Sequence, residues 1–327
     1  MRRVVVPLVL TGALTATIGL SLAIGSVPIP LSDVLSALGG ARQIEAHHIV
    51  LDFRIPRTVA GLVAGCCLAI AGVLLQGATR NPLASPTLLG ITSGAGFAVV
   101  VTVAIFGMPS SFAVWAAFIG GAGAALLALA LAGSGRDGMS PVRLALSGAL
   151  ISLLLAAWTR GLLSLNETSS DEVRHWLAGS LAGREASTLG PLLPILILGA
   201  LAAVLLARPL DALALGDETA VGLGQRPGRI RALSALTAVA LSAVAVAMAG
   251  PIAFVGLIVP HLVRFLIGTR TLDVLLSSAL TGPIVLLLAD IVGRVVAPPG
   301  ELQAGVLTAF IGAPILVLIA ARSRIER

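Results

Sequence analysis

The chain has 327 residues, of which 57% are hydrophobic and only 11% charged, and its mean hydropathy is +1.05. Soluble domains carry about 25% charged residues, so this composition excludes an ordinary soluble domain and indicates a membrane protein surrounded by lipid. The formal net charge of +6 comes from 21 basic residues, all of them arginine. In a membrane protein such an excess reflects the positive-inside rule, so we predict no nucleic-acid partner.

Ten apolar segments follow one another along the chain, at about 4–25, 56–79, 87–107, 112–132, 142–163, 189–207, 232–250, 252–268, 272–292 and 302–320. Most have the length of a helix that crosses a hydrocarbon core about 30 Å thick, and none shows strand-like alternation. We therefore predict an all-α polytopic membrane protein with ten transmembrane helices in a single domain over residues 1–327. The even count and the distribution of arginines place both termini on the cytoplasmic side of the cell membrane.

Arginines stand next to two of these segments on the predicted outer side. Arg54 and Arg57 precede the second segment, and a spacing of three residues places them on one face of a helix. Arg294 follows the ninth segment and lies four residues after Asp290. Judged from the residues alone, Arg294 can pair with Asp290 or extend toward the interface.

The stretch "RNPLASPTLLG" from Arg80 to Gly90 separates the second apolar segment from the third. Pro82 and Pro86 lack an amide donor and disfavour helix at the residue before them. We predict that a helix ends near Arg80, at the cytoplasmic surface, and that helix resumes near Leu88. The local pattern by itself fits an ordinary tight turn.

The longest polar stretch on the predicted cytoplasmic side is "RPLDALALGDETAVGLGQRPGRIR", residues 208–231. Apolar residues recur in its middle with helical spacing between acidic residues, and "GLGQRPG" then interrupts the pattern. The stretch is therefore either a solvated loop or a short helix that binds a cytoplasmic partner.

A candidate repeat relates the two halves of the chain. Ala69–Gly90 aligns without gaps to Ala247–Gly268 and is identical at six of 22 positions. The two segments lie five predicted spans apart, and an odd separation gives them opposite orientations. This arrangement predicts an inverted internal repeat, which is typical of transporters.

Several site types have no support in the sequence. A phosphate-binding loop of the ATPase type ends in lysine, and the chain contains no lysine, so any ATP hydrolysis must occur on another subunit. Neither a nucleophilic triad nor a cluster with metal-ligand spacing stands out. We predict that the chain is not an enzyme and holds neither cofactor nor metal.

Five blocks of sequence, in order along nearly the whole chain, resemble the FecCD-type permeases, the membrane subunits of ABC importers. They are residues 54–96, "HWLAGSLAG" (175–183), "RPLDALALGDETAVGLGQ" (208–225), "AGPIAFVGLIVPHLVR" (249–264) and "LLLADIVGR" (286–294). The resemblance implies a type II ABC importer permease fold and a homodimer. It also implies two cytoplasmic ABC ATPase subunits and an extracytoplasmic solute-binding protein as partners.

The resemblance also implies roles for individual residues. The cytoplasmic gate would contain Asn81, Leu83, Ser140 and Pro141. ATPase coupling would involve Asp217, Glu218, Ala220, Gly222 and Gly224, and docking of the binding protein would involve Arg54, Arg57 and Arg294. The implied cargo is a ferric siderophore or similar metal chelate, with haem and cobalamin as alternatives. An ion-coupled secondary transporter is a further alternative, although its usual mid-membrane charges are nearly absent here.

Overall fold

The structure is a computed structural model that describes residues 2–25, 27–108, 112–134, 141–165, 176–184, 188–297 and 300–325. Within these ranges all regular secondary structure is helical, which confirms the all-α prediction. Helices pair the backbone groups of each segment internally, as a lipid solvent requires.

Thirteen α-helices are described in these ranges. They are α1 (Arg2–Ala23), α2 (Leu31–Leu38), α3 (Glu45–His48), α4 (Ile55–Thr79), α5 (Ile91–Val100), α6 (Ala113–Gly133), α7 (Pro141–Leu165), α8 (Leu189–Ala214), α9 (Asp217–Gly222), α10 (Pro227–Ala249), α11 (Val255–Ile267), α12 (Thr271–Val296) and α13 (Ala304–Ile325). Wider π-helical turns precede α4 at Ile49–Arg54 and follow α5 at Val101–Ile105, and a 3₁₀ turn covers Pro86–Leu89.

Seven helical stretches in the described ranges are long and apolar enough to cross a membrane: α1, the continuous stretch of α3, the π-helical turn and α4, and then α6, α7, α8, α10 and α12. Shorter apolar helices at Ile91–Ile105, Val255–Ile267 and Ala304–Ile315 coincide with the three remaining predicted segments. A span needs about 20 residues, and α11 has 13. The chain is thus a multi-pass membrane protein, while the count of ten spans stays a prediction.

Helices α4, α10 and α12 form the interior of the bundle. In the most apolar 18-residue stretch of each helix, 83%, 78% and 67% of the residues are buried. The corresponding shares for α6, α7 and α8 are 33%, 28% and 22%. Helix α4 contacts α8, α10, α11 and α12. Because α6, α7 and α8 leave most of their apolar surface uncovered, we infer that they face lipid or another subunit.

Glycines let α4 approach its neighbours closely. Gly65 lies against Gly282 of α12, where an added Cβ would be 2.7 Å from the Gly282 carbonyl oxygen. Two turns further on, Gly72 lies against Gly256 of α11, and an added Cβ would overlap the Gly256 carbonyl oxygen. Backbone contact of this kind is how helices in lipid gain packing energy.

The helix boundaries do not match the gapless alignment of residues 69–90 with 247–268. Helix α10 ends at Ala249 and an irregular segment, 250–254, precedes α11, whereas the aligned residues 72–76 lie inside α4. Conversely, the break after α4 aligns with the interior of α11. The two segments instead contact each other where Gly72 meets Gly256. The inverted repeat therefore stays a prediction.

The polar stretch 208–231 is more helical than the sequence predicts. Helix α8 continues through Pro209 to Ala214, and α10 already begins at Pro227. Leu210 and Leu213 are almost fully buried, and Leu210 packs against Gly77 of α4. Burial of these leucines outweighs the loss of one hydrogen bond at the proline, so the exposed connection shrinks to residues 215–226.

Candidate functional site

Polar side chains gather at the two opposite ends of the bundle. We call the end where α4 stops and α10 starts the Asp217 end, and the end where α1 stops and α4 starts the Asp290 end. Helix α13 starts beside α12 at the Asp290 end, since the Leu302 amide donates to the Gly293 carbonyl at 3.0 Å. The N-terminus of α1 and the C-terminus of α13 therefore both lie toward the Asp217 end.

A tight turn follows α4 at the Asp217 end, as the two prolines predict. Arg80 ends the helix in the left-handed conformation, with φ of 49°. The Asn81 side-chain oxygen accepts a hydrogen bond from the Leu83 amide at 2.9 Å, and the Asn81 carbonyl accepts one from Ala84 at 3.1 Å. We call residues 80–85 the gate turn, after the role that the resemblance implies for Asn81 and Leu83.

The gate turn lies beside the start of α7. A small cavity between them is lined by Asn81, Ala84, Leu144 and Ala145, among others. Further along, Gly148 of α7 is so close to the 3₁₀ turn that an added Cβ would overlap the Leu88 carbonyl oxygen. The structure therefore brings together the two segments assigned to the gate. Pro141 is the first residue of α7, and Ser140 lies outside the described residues.

The connection 215–226 contains the short helix that its spacing predicts. Helix α9 starts at Asp217, after Gly216 with φ of 113°, and ends at Gly222. Ala220 is fully buried, whereas Glu218, Gly222 and Gly224 are exposed. Leu215, Val221 and Leu223 are also exposed, although they lie beyond the ends of α8 and α10. Three uncovered apolar side chains therefore lie in one short connection.

Asp217 connects α9 to the rest of the Asp217 end. Its carboxylate pairs with Arg80 of the gate turn and, at 2.8 Å, with Arg231 of α10. Arg231 also donates through Nε to the Ala78 carbonyl at 3.3 Å. Sequence reasoning singled out both residues but did not find these contacts, because Asp217 and Arg80 are far apart in the chain.

Asp290 organises the opposite end. Its carboxylate is 1% exposed and pairs with Arg57, 2.8 Å away, and with Arg294. Arg57 also contacts Glu301 at 2.7 Å. Arg294 donates to the carbonyls of Ser21 and Ile24, at 2.8 and 3.0 Å, where α1 ends. We call Asp290, Arg57, Arg294 and Glu301 the Asp290 cluster.

Arg54 and Arg294 do not present free guanidinium groups at the surface, contrary to what a docking role requires. Arg54 is buried and donates to the Leu22 carbonyl at 2.6 Å and to the Val27 carbonyl. The two arginines thus supply donors to the last carbonyls of α1, which have no partner within the helix. The predicted alternative for Arg294, an ion pair with Asp290, is confirmed. Of the three arginines, Arg57 is the one that pairs with a partly exposed carboxylate, that of Glu301.

Comparison with known proteins identifies the family. A model of the FecCD transport family matches residues 13–322. The chain belongs to the FecCD transport family. It is 45% identical over 323 residues to the ferric enterobactin transport system permease protein FepD of Escherichia coli (strain K12), covering 98% of this chain and 96% of FepD.

Other matches agree with this assignment. YfmD and YfmE, two Fe(3+)-citrate import system permease proteins of Bacillus subtilis (strain 168), are each 40% identical, over 307 and 298 residues. Those alignments cover 94% and 90% of this chain and 91% and 88% of the relatives. A solved inward-facing structure of a metal-chelate type ABC transporter has a TM-score of 0.82 and 30% identity, covering 97% of this chain and 98% of the other.

A third polar contact lies inside the FecCD bundle and was also missed in the sequence. Gln76 of α4 is buried and donates to the carbonyls of Gly256 and Leu257 in α11, at 3.4 and 3.3 Å. Arg264 of α11 donates to the Gln76 side-chain oxygen. These bonds join α11 to α4 just beyond the contact of Gly72 with Gly256. A glutamine within the apolar run "VLLQGA" was the available signal.

The described part of this FecCD chain offers no obvious ligand set for a resident metal. Among those residues, no group of three or more histidine, cysteine, aspartate or glutamate side chains is placed to hold an ion. The two carboxylates of the Asp290 cluster are occupied by Arg57 and Arg294.

Proposed function

We propose that this chain is the membrane-spanning permease subunit of an ATP-driven ABC importer and forms the translocation pathway for a ferric siderophore or a similar metal chelate. The observation that carries the proposal is the match to FepD over 98% of the chain. The likeness to a metal-chelate type ABC transporter over the whole fold supports it. Haem and cobalamin remain alternative cargoes.

Transport by the reconstituted importer tests this function. Proteoliposomes that contain the chain, its ATPase and its binding protein should accumulate a labelled ferric siderophore when ATP is supplied. Parallel measurements with labelled haem and cobalamin identify the cargo. Accumulation driven by an ion gradient, by the chain alone, would contradict the proposal and favour a secondary transporter.

The Asp217 end is proposed to face the cytoplasm, with both termini on that side. The arginines of the gate turn, the connection 215–226 and the start of α10 lie at this end, among them Arg80, Arg226, Arg229 and Arg231, and positive charge favours the cytoplasmic side. Helix α1 starts and helix α13 ends toward this same end, which supports placing both termini there. Fusion of a cytoplasm-active reporter to either terminus should give signal, and signal from only one would contradict this topology.

Helix α9 is proposed as the coupling helix that binds the ATPase. The support is the uncovered apolar side chains in α9 and on either side of it, Val221, Leu215 and Leu223, together with the buried anchor at Ala220. A short helix held in this way moves as one body when its partner moves. In this proposal Glu218, Gly222 and Gly224 contact the ATPase around the apolar side chains.

A substitution at Val221 tests the coupling surface. Val221→Asn replaces an exposed apolar side chain with a polar one of similar size, so fold stability should change little while the ATPase loses a contact. We expect at least a tenfold loss of co-purified ATPase from membranes that co-express both chains. Val221→Ile keeps the apolar contact and should retain the ATPase. Equal recovery with both variants would contradict docking at α9.

Two copies of this chain are proposed to form the pathway as a homodimer. The weakly buried helices α6, α7 and α8 provide apolar surface for such a partner or for lipid. A heterodimer is the second candidate, because YfmD and YfmE are two permease proteins named for one import system in one organism. Two differently tagged copies of this chain should co-purify from one cell. Their failure to do so would favour the heterodimer.

Gating and docking are proposed at opposite ends. The cytoplasmic gate is proposed at Asn81, Leu83, Ser140 and Pro141, supported by the contact of the gate turn with the start of α7. An extracytoplasmic solute-binding protein is proposed to dock at the Asp290 end. Burial of Arg54 and Arg294 favours Arg57 and its neighbour Glu301 as the direct contacts.

A further inference from the structure

Three segments meet at the carboxylate of Asp217. This residue starts α9, and its partners are Arg80, the first residue of the gate turn, and Arg231 of α10. The bond from Arg231 to the Ala78 carbonyl closes the group against the last turn of α4. We call Asp217, Arg80 and Arg231 the Asp217 cluster. It is a direct polar connection between the proposed coupling helix and the gate turn.

A small displacement of Arg80 would act directly on the gate turn. Its backbone is in the left-handed region, which side-chain-bearing residues rarely adopt, and it is the last residue before Asn81. The Asn81 side chain in turn holds the Leu83 amide at 2.9 Å. Any force on the Arg80 guanidinium therefore acts at the start of a short, hydrogen-bonded turn.

The Asp217 cluster differs from the Asp290 cluster in its exposure to water. The side chains of Asp217, Arg80 and Arg231 are 45%, 39% and 26% exposed, whereas those of Asp290 and Arg294 are 1% and 2% exposed. Exposed ion pairs are screened by solvent and add little to stability. The Asp217 cluster can therefore break and reform at low cost during a transport cycle, which a buried pair cannot.

We propose that the pair of Asp217 and Arg80 transmits movement of α9 to the gate turn, by holding Arg80 in one position of α9 and releasing it in another. Both are positioning residues: they act on the gate without touching the cargo. The inference deepens the proposed function, since it depends on α9 being the helix that the ATPase moves. It also assigns Asp217 to the permease's own gate and not to the ATPase surface.

The test compares cargo transported with ATP hydrolysed, in proteoliposomes that contain the complete importer. Arg80→Gln removes the ion pair while keeping a long polar side chain. ATP hydrolysis should stay within twofold of the unaltered complex, and cargo transported per ATP should fall at least fivefold. Arg229→Gln removes another exposed arginine at the same end and should leave that ratio unchanged.

A second readout follows the gate turn itself. Leu83→Cys, in a chain whose Cys66 and Cys67 are replaced by alanine, reports the turn's accessibility to a water-soluble maleimide. Labelling should differ between nucleotide-free and ATP-bound complexes. Adding Arg80→Gln should reduce that difference at least threefold while hydrolysis continues. If Arg80 had a purely structural role, Arg80→Gln would lower the yield of complex. In the complexes that still hydrolyse ATP, labelling would then change with nucleotide as it does in the unaltered protein.

The outcomes separate this inference from the proposed function. The inference is overturned if Arg80→Gln leaves the amount of cargo transported per ATP unchanged. It is also overturned if that variant no longer binds the ATPase. If Arg80→Gln lowers the yield of folded chain, Asp217→Asn removes the same pair from the other side, and an unchanged ratio there also overturns the inference. Absence of ATPase binding by the unaltered chain would contradict the proposed function itself, before any variant is compared.

Discussion

Replacing Asp290 with asparagine should destabilise the protein by about 3–5 kcal/mol. The substitution keeps the size of the side chain but leaves the buried Arg294 and the nearly buried Arg57 without their shared carboxylate. An unpaired charge in such a site loses its hydration without compensation. Thermal unfolding of detergent-purified protein should show a melting temperature lower by several degrees.

The matched control is Asp52→Asn, which removes a half-exposed carboxylate at the same end of the bundle. Its effect should stay within about 0.5 kcal/mol, as for most surface substitutions. The double variant Asp290→Leu with Arg294→Met should lose less than the sum of the two single losses, because it removes both members of a pair. A melting temperature for Asp290→Asn equal to that of Asp52→Asn would contradict the stabilising role of the Asp290 cluster.

Gly72→Ala should be nearly as damaging, although it adds a single methyl group. The new Cβ would overlap the carbonyl oxygen of Gly256, a backbone atom that cannot rotate away as a side chain does. Helices α4 and α11 must then separate, which also strains the bonds from Gln76 to the Gly256 and Leu257 carbonyls. We expect a loss of about 1–3 kcal/mol or more from overpacking, measured by thermal unfolding and by the yield of monodisperse protein.

Gly123→Ala is the control for this second substitution. Gly123 also lies in a transmembrane helix, α6, but an added Cβ there has no atom within 4 Å. Alanine should be neutral or slightly stabilising, since it restricts the unfolded chain. Equal melting temperatures for Gly72→Ala and Gly123→Ala would show that α4 and α11 are not in close backbone contact.

Local sequence features predicted much of the helix layout. The apolar lengths located the spans, and Pro82 and Pro86 located the break after α4, because proline acts on the hydrogen bonds of its own neighbourhood. The same reasoning placed the end of α8 too early, near Arg208. There the outcome depends on what Leu210 and Leu213 pack against, which involves α4 and is invisible in the local pattern.

The polar contacts between distant segments were not predictable from one sequence. Arg57 meets Asp290 across 233 positions, and Arg264 meets Gln76 across 188. The sequence did indicate that arginines collect near the ends of helices, but a cation at such a place can bind a partner, extend to water or donate to free carbonyls. Which of these occurs depends on where α1 ends relative to α4 and α12, and only the assembled bundle decides it.

The unequal exposure of the two clusters has a mechanical consequence. Helix α4 has 25 residues and is about 37 Å long. Its first turn is held through Arg57, and its last turn is also packed, since Leu75, Gln76 and Ala78 are at most 3% exposed. Tilting the whole helix would break these contacts along its length. Movement at the Asp217 end is therefore expected in the turn that follows the helix, with α4 as the fixed element against which that turn shifts.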